Sequence, residues 1–148
     1  REQNKSVQLW AVEPEECPML SERKWGSHGI EGIGDGLVPR NLHLEHVTGI
    51  VTTHTDEAVE MARRLAREEG IFCGISSGSN VAAALKLARK HPELGYIVCM
   101  TNDTGQRYFS TALCGEEKEV EIPDRDHPLD DYTVEQLDKF QAGWEIIT

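Results

Sequence analysis

Residues 71–80 read Ile71-Phe72-Cys73-Gly74-Ile75-Ser76-Ser77-Gly78-Ser79-Asn80, and the chain continues Val81-Ala82-Ala83-Ala84-Leu85-Lys86-Leu87-Ala88-Arg89. The apolar run 71–75 predicts a short strand that ends in small polar residues. Val81, Ala84, Leu85 and Ala88 then fall on one stripe at helical spacing. Strand, glycine-bearing turn and helix together bring backbone donors to the carboxyl edge of a parallel sheet. This stretch therefore predicts an α/β fold, a three-layer αβα parallel sheet.

The same letters fit two chemistries. Gly74-x-Ser76-x-Gly78 matches the nucleophile elbow of a serine hydrolase, and Asp103 and Asp126 precede His127 in the required order. Alternatively, the serines are small packing and hydrogen-bonding residues beside a bound cofactor. The hydrolase reading needs an oxyanion-hole loop after an earlier strand, and no convincing one is present. His127 also lies beside Pro128, away from the core strands.

Working outward, Val7–Val12 reads as a strand stopped by Glu13-Pro14. A loop follows in which Gly26, Gly29, Gly32, Gly34 and Gly36 exclude a stable helix or a plain strand. Ile30, Ile33, Leu37 and Val38 interleave with these glycines, so the loop should pack. Thr48–Thr53 predicts a second strand. Thr55 is placed to cap the helix after it, with Asp56 and Glu57 in the first turn. Ala58, Val59, Ala62, Leu65 and Ala66 give that helix a buried stripe. Glu60 and Arg64 are spaced as a surface pair, and Gly70 as a stop. Tyr96–Met100 predicts a fourth strand, left through Asn102-Asp103-Thr104-Gly105. Ser76, Ser77 and Thr104 then all fall just beyond strand ends, where ligands of such sheets bind.

The chain has 148 residues, with 26 acids against 15 bases and a formal charge of −11. This balance disfavours nucleic-acid binding. Residues 116–148 hold 11 of the acids and 3 of the bases. The expected division is a domain over 1–115 and an acidic C-terminal tail over 116–148. Thr133–Phe140 should form a short helix in that tail, capped by Asp131 or Thr133. An interaction domain that uses the tail as its binding element is a non-enzymatic alternative. No run of 18 apolar residues exists, so no membrane partner is expected. Cys17, Cys73, Cys99 and Cys114 are scattered, and Cys73 and Cys99 sit in apolar runs, as buried thiols of a reducing, cytoplasmic protein would. The six histidines lack ligand spacing, so no metal is expected. Arg1, in place of Met, suggests processing or a fragment of a longer protein.

Five stretches carry a resemblance. They are Trp10-Ala11-Val12-Glu13-Pro14, Gly29 through Pro39, Ala66-Arg67-Glu68-Glu69-Gly70-Ile71, Gly74-Ile75-Ser76-Ser77-Gly78, and Thr104-Gly105-Gln106-Arg107-Tyr108-Phe109-Ser110-Thr111. In this order and spacing the chain resembles the C-terminal part of the cysteine synthase (O-acetylserine sulfhydrylase) family, among the fold-type II pyridoxal-phosphate enzymes related to tryptophan synthase β. The resemblance implies part of that enzyme's large domain, pyridoxal 5'-phosphate as cofactor, and β-replacement on an activated serine. The reaction implied is O-acetylserine plus sulfide giving cysteine and acetate. Nearer alternatives are cystathionine β-synthase and the serine and threonine dehydratases.

By resemblance, Gly32, Ile33 and Gly34 form the glycine loop along the cofactor's face, where backbone must approach a flat ring. Thr104 stands where the family carries a hydroxyl for the pyridine nitrogen. A neutral hydroxyl does not force that nitrogen to be protonated, which suits β-elimination and replacement. Ser76 belongs to the sheet edge near the cofactor. No catalytic residue is assigned, because the family's Schiff-base lysine, its substrate-carboxylate loop and its phosphate loop lie upstream of the matched region. Lys24 and Lys86 do not match the lysine's position, and Lys86 is expected to be solvated. The implied partners are an amino-acid substrate, the missing N-terminal half, and a second copy in a homodimer. The family's usual lysine and glutamine before the glycine pair are here Gly29 and Glu31, and its proline-containing turn is here Asn102-Asp103-Thr104.

Overall fold

A computed structural model describes residues 3–115 and 127–148. Its sheet has three parallel strands, β1 (Trp10–Pro14), β2 (Gly49–Thr53) and β3 (Glu145–Ile147), in the order β1-β2-β3. Trp10 pairs with Gly49 and Pro14 with Thr53, while Ile50 pairs with Ile146 on the other side. β1 starts later than expected. Val7 and Leu9 lie before it and are exposed.

β2 is buried along its whole length. Successive strand residues point to opposite faces, so Ile50 and Val51, both fully buried, show that both faces are covered. Ile50 packs with Leu20, Val38, Leu44 and Leu137, and Val51 packs with Ala83, Leu87 and Ile147. Leu20 lies on α1 (Met19–Glu22) and Leu137 on α4 (Asp131–Phe140), while Ala83 and Leu87 lie on α3 (Ile75–Lys90). The result is helix, sheet, helix, the layered α/β arrangement the sequence predicted. Each buried Leu or Ile contributes about 1.5–3 kcal/mol before the cost of ordering the chain.

α2 (Thr55–Glu69) packs along α3. Its cap is His54 rather than Thr55. His54 Nδ1 accepts from the Asp56 amide, and Glu57 accepts from the His54 amide. Thr55 instead takes the Gly29 amide on its hydroxyl, which ties the glycine-rich loop to the helix. Gly70 closes α2 with φ +70, as expected. Arg64 pairs with Glu68 and Arg67 with Glu60, in place of the Glu60–Arg64 pair.

Two expected strands are absent among the described residues. In 71–75 a single antiparallel bridge, Cys73 to Thr104, takes the place of a strand. Helix α3 already begins at Ile75, so the serines occupy its first turns instead of a turn before it. Tyr96–Met100 is not a strand either, and Tyr96 and Val98 are over nine-tenths exposed. Strand formation needs a hydrogen-bonding neighbour, and propensity alone does not supply one. Cys99 is therefore exposed, as is Cys114, while Cys17 and Cys73 are buried. In the tail, α4 forms as predicted but starts two residues earlier, at Asp131, and its cap is Asp130 rather than Asp131 or Thr133. Its fully buried Leu137 joins the core, and β3, which the sequence reading missed, extends the sheet.

Candidate functional site

The carboxyl end of β1 leads into Glu15, Glu16 and Cys17, and from there to the glycine loop. Gly32, Gly34 and Gly36 adopt φ of +90, +73 and +78, a region open to glycine at little cost. The loop is pinned from beneath. The Cys17 thiol donates to the Gly34 carbonyl at 3.4 Å, and a His28 ring nitrogen, Nε2, lies 3.4 Å from the same oxygen. Burial pushes the Cys17 thiol pKa up, which keeps it a donor. Ile30 is fully buried and Ile33 packs beside it, whereas Leu37 is exposed. The loop thus packs through alternate residues. A Cβ at Gly32 would meet nothing within 4 Å, so its bare backbone faces open space.

The second component is the turn that follows 96–100. The Asn102 amide donates to Ser77 Oγ at 2.9 Å, and Asn102 Nδ2 donates to Ser76 Oγ at 3.3 Å. The Gly74 amide donates to the Asp103 carbonyl, and the Gly105 amide to the Phe72 carbonyl. These bonds lash the turn to the first turn of α3 and hold Thr104 beside Cys73. Thr104 is exposed, and its hydroxyl does not cap the helical turn 105–108 that it precedes. Ile30, Cys73, Ile75 and Tyr108 share one core cluster, with Ile33 packed against it. The glycine loop and the Thr104 turn therefore stand on the same base.

Asp103 lies at the centre of this base. Its Oδ2 accepts from the Tyr108 hydroxyl at 2.7 Å, while its Oδ1 is buried without a partner among the described residues. That bond, together with burial, pushes the Tyr108 pKa up to about 12.

The serine-hydrolase grouping does not assemble. Ser76 is bonded to Asn102 and Asp103 to Tyr108, while His127 stacks on Trp25 at 5.2 Å, over Gly36. No hydrogen bond among the described residues joins the three, and Asp126 lies outside those residues. Lys86 departs from its expected solvated place. Its side chain is 17% exposed, and Nζ donates to the Thr52 carbonyl at 3.0 Å and to Glu57 at 2.7 Å. Lys24 pairs with Glu22 on the surface. Among the described residues no group of side chains has the makings of a metal site, and no helix is long and apolar enough to cross a membrane.

The sequence reading missed the supports: Cys17 and His28 under the loop, and Asn102 between the serines and Thr104. Only the interleaved apolar residues hinted that the loop had a packed underside.

A parallel sheet covered on both faces, with a bare glycine loop and the Thr104 turn at its carboxyl edge, defines a layered α/β domain. The chain belongs to the pyridoxal-phosphate dependent enzyme family, whose model matches residues 1–103. It is 46% identical over 114 residues to cysteine synthase 3 of Caenorhabditis elegans, covering 76% of this chain and 34% of that protein. It is 39% identical over 108 residues to cysteine synthase of Staphylococcus aureus (strain Mu50 / ATCC 700699), covering 73% of this chain and 35% of that one. Among solved structures it is similar to a cysteine synthase from Entamoeba histolytica, with a TM-score of 0.72 and 36% identity, over 95% of this chain and 39% of that one. The chain thus spans about a third of the length of the curated relatives it matches.

Enzymes of this family use pyridoxal phosphate, and the residues present fit it. The open space over Gly32 leaves room for a flat ring, and the exposed Thr104 hydroxyl, which caps no helix among the described residues, could meet a ring nitrogen.

Proposed function

We propose that this chain forms part of the large domain of a cysteine-synthase-like enzyme catalysing β-replacement, O-acetylserine plus sulfide giving cysteine and acetate. The observation that carries the reading is the shared base of the glycine loop and the Thr104 turn, in a chain 46% identical to a cysteine synthase. When bound, pyridoxal phosphate would supply the electron sink that lets an amino acid lose its α-proton and its β-substituent.

The chain's own contributions are positional. Gly32, Ile33 and Gly34 present backbone to the cofactor's face without a side chain in the way. Thr104 offers the pyridine nitrogen a neutral hydroxyl. Ser76 acts on the cofactor through Asn102, by fixing the turn that carries Thr104. The lysine that bonds the cofactor, the grip on its phosphate and the grip on the substrate carboxylate come from the remaining part of the fold. On this reading the chain alone is inactive, and the complete enzyme is a cytoplasmic homodimer acting on an amino-acid substrate.

The test is a titration of the 148-residue chain with pyridoxal phosphate, borohydride trapping and peptide mapping. Weak binding with no stoichiometric adduct is expected. Fusing the chain behind the segment of the Caenorhabditis elegans relative that it does not match should give tight binding and cysteine formation. A stoichiometric adduct on Lys24 or Lys86, with β-replacement by the chain alone, would overturn the reading. Cystathionine formed from homocysteine, without cysteine from sulfide, would shift it to cystathionine β-synthase chemistry.

A further inference from the structure

The start of the glycine loop is tied at the Gly29 amide by Thr55, and its middle at the Gly34 carbonyl by Cys17 and His28. Its carboxyl half is held from much further along the chain. The Val38 amide donates to Thr133 Oγ1 at 2.9 Å, across 95 residues of sequence. Both residues are buried, Thr133 completely, so the bond is shielded from solvent. The Thr133 hydroxyl gives its own proton to Asp130 Oδ2 at 2.7 Å, which leaves an oxygen lone pair for the Val38 amide. Gly36, two residues before Val38, lies against a stacked pair of rings. A Cβ there would clash with His127 Nε2 and with Trp25 Cδ1, and the two rings stand 5.2 Å apart.

Trp25 is itself placed by the C-terminal segment. The chain turns towards it at Arg23, the one non-glycine residue with a positive φ, 58°, among the described residues. A left-handed backbone at a residue with a Cβ persists where its surroundings fix it. Here Arg23 Nη1 donates to Asp138 at 2.7 Å and Nε donates to Gln141 at 2.7 Å. Gln141 Nε2 in turn donates to the Leu20 and Ser21 carbonyls of α1. The segment 127–141 thus reaches the loop twice, directly through Thr133 and His127, and by way of Arg23 to Trp25. All of these holds are made by residues beyond position 103, where the match to the family model ends.

We propose that the C-terminal segment positions the glycine loop, with Thr133 as the positioning residue that fixes the loop's carboxyl half through the Val38 amide. Thr133 touches no reacting group. It acts through Val38, and so sets where the backbone of Gly32 to Gly36 stands. That this backbone is the cofactor's face rests on the function proposed above. The hold on the loop rests on the hydrogen bonds.

Thr133→Val removes the acceptor and keeps the shape, while Thr133→Ser keeps the hydroxyl. In the 148-residue chain, hydrogen exchange of the Val38 amide is compared with that of the β2 amides. Thr133→Val should speed Val38 relative to β2 by about tenfold, because it opens the loop locally. Thr133→Ser should restore the original ratio. Gly78→Ala, which strains α3 against α2 away from the loop, is the control for a merely structural loss, and should leave the ratio unchanged. In the fusion to the remaining segment of the Caenorhabditis elegans relative, Thr133→Val should weaken pyridoxal-phosphate binding by about tenfold, the factor expected for one lost hydrogen bond, and Thr133→Ser should not. An unchanged exchange ratio in Thr133→Val, a ratio that Gly78→Ala raises equally, or a loosened loop with unweakened cofactor binding would each overturn the proposal. A fusion that binds no cofactor would count against the proposed function, and the exchange ratio in the chain alone would then decide whether Thr133 holds the loop.

Discussion

The Tyr108 hydroxyl donates to Asp103 Oδ2 at 2.7 Å, and Asp103 sits one residue before Thr104. The bond spans the turn that sets the Thr104 hydroxyl, and the other oxygen of Asp103 has no partner among the described residues.

Tyr108→Phe should therefore cost about 1–3 kcal/mol in denaturant unfolding, because it takes the hydroxyl donor from a partly buried carboxylate that otherwise has Arg107 at 4.0 Å. Asp103→Asn should be milder, since the amide oxygen can still accept from Tyr108. Ultraviolet titration should show one tyrosine ionising at about 12 that disappears in Tyr108→Phe. The raised value favours the neutral phenol in the folded state. Its stabilisation is full below the ordinary tyrosine value of 10.0 and is lost as pH rises through about 12.

Lys86 joins α3 to the end of β2 and to Glu57 on α2. Lys86→Met should cost about 1–3 kcal/mol, chiefly from the unpaired Thr52 carbonyl and the weakened α2 cap. Burial raises the Glu57 pKa, but the bonds from Lys86 and the His54 amide outweigh it, so the net shift is downward. A lowered carboxylate stabilises the fold above its unfolded value, and that contribution fades as pH falls through the folded one. The variant should accordingly show a flatter stability profile on the acid side. An unchanged profile would mean that Lys86 is not what holds Glu57 ionised.

His91 follows α3 and lies between two carboxylates, Glu93 at 2.9 Å and Glu145 of β3 at 3.1 Å. The bond to Glu93 raises its pKa most, desolvation opposes this, and Glu145 adds to the rise. Protonated His91 thus clips helix to sheet. The contribution is full below the ordinary value of 6.5 and is lost as pH rises through the raised one. Proton NMR of His91 should show the raised value, and Glu145→Gln should lower it. A titration unaffected by Glu145→Gln would remove Glu145 from the clip.

At Gly78 the backbone of α3 lies close against that of α2. A Cβ there would lie 2.1 Å from the Ala58 carbonyl oxygen and 2.7 Å from the Ala62 nitrogen, and both contacts are backbone. Gly78→Ala should cost about 1–3 kcal/mol by forcing the helices apart. Gly95→Ala, where a Cβ would meet nothing within 4 Å, is the control and should be nearly silent.

Leu137→Ala tests whether the tail belongs to the core. Leu137 is fully buried against Ile50 and Leu44. Its truncation should cost about 2–5 kcal/mol, the usual range for a buried leucine. A neutral result would mean that α4 does not contribute to the folded unit.

The elements read correctly from sequence carry a strong local signal of their own, even where, as for β2, the strand partners lie far away in the chain. Helix α2 announced itself through its stripe and the Gly70 stop, and β2 through a run buried on both faces. Residues 71–75 and 96–100 have strand composition, but composition is silent on whether a neighbour exists. Cys73 finds a single bridge and Val98 finds none, so neither run became a strand. The reverse holds for Glu145–Ile147, three residues in an acidic region that pair because β2 offers them an edge. At the candidate site, motif order alone proposed the glycine loop and Thr104. It could not show that Cys17 and His28 hold the loop, since both act from outside the motif.

The position of β3 also bears on how the molecule is made. β1 and β2 are made well before the strand that covers the other edge of β2, which comes only at Glu145–Ile147. Throughout the synthesis of everything between Thr53 and Glu145, that edge of β2 stays open, and the loop that must close across it is long. That edge of β2 should therefore close only when β3 arrives. A nascent chain stalled before Glu145 should be the form most in need of a chaperone.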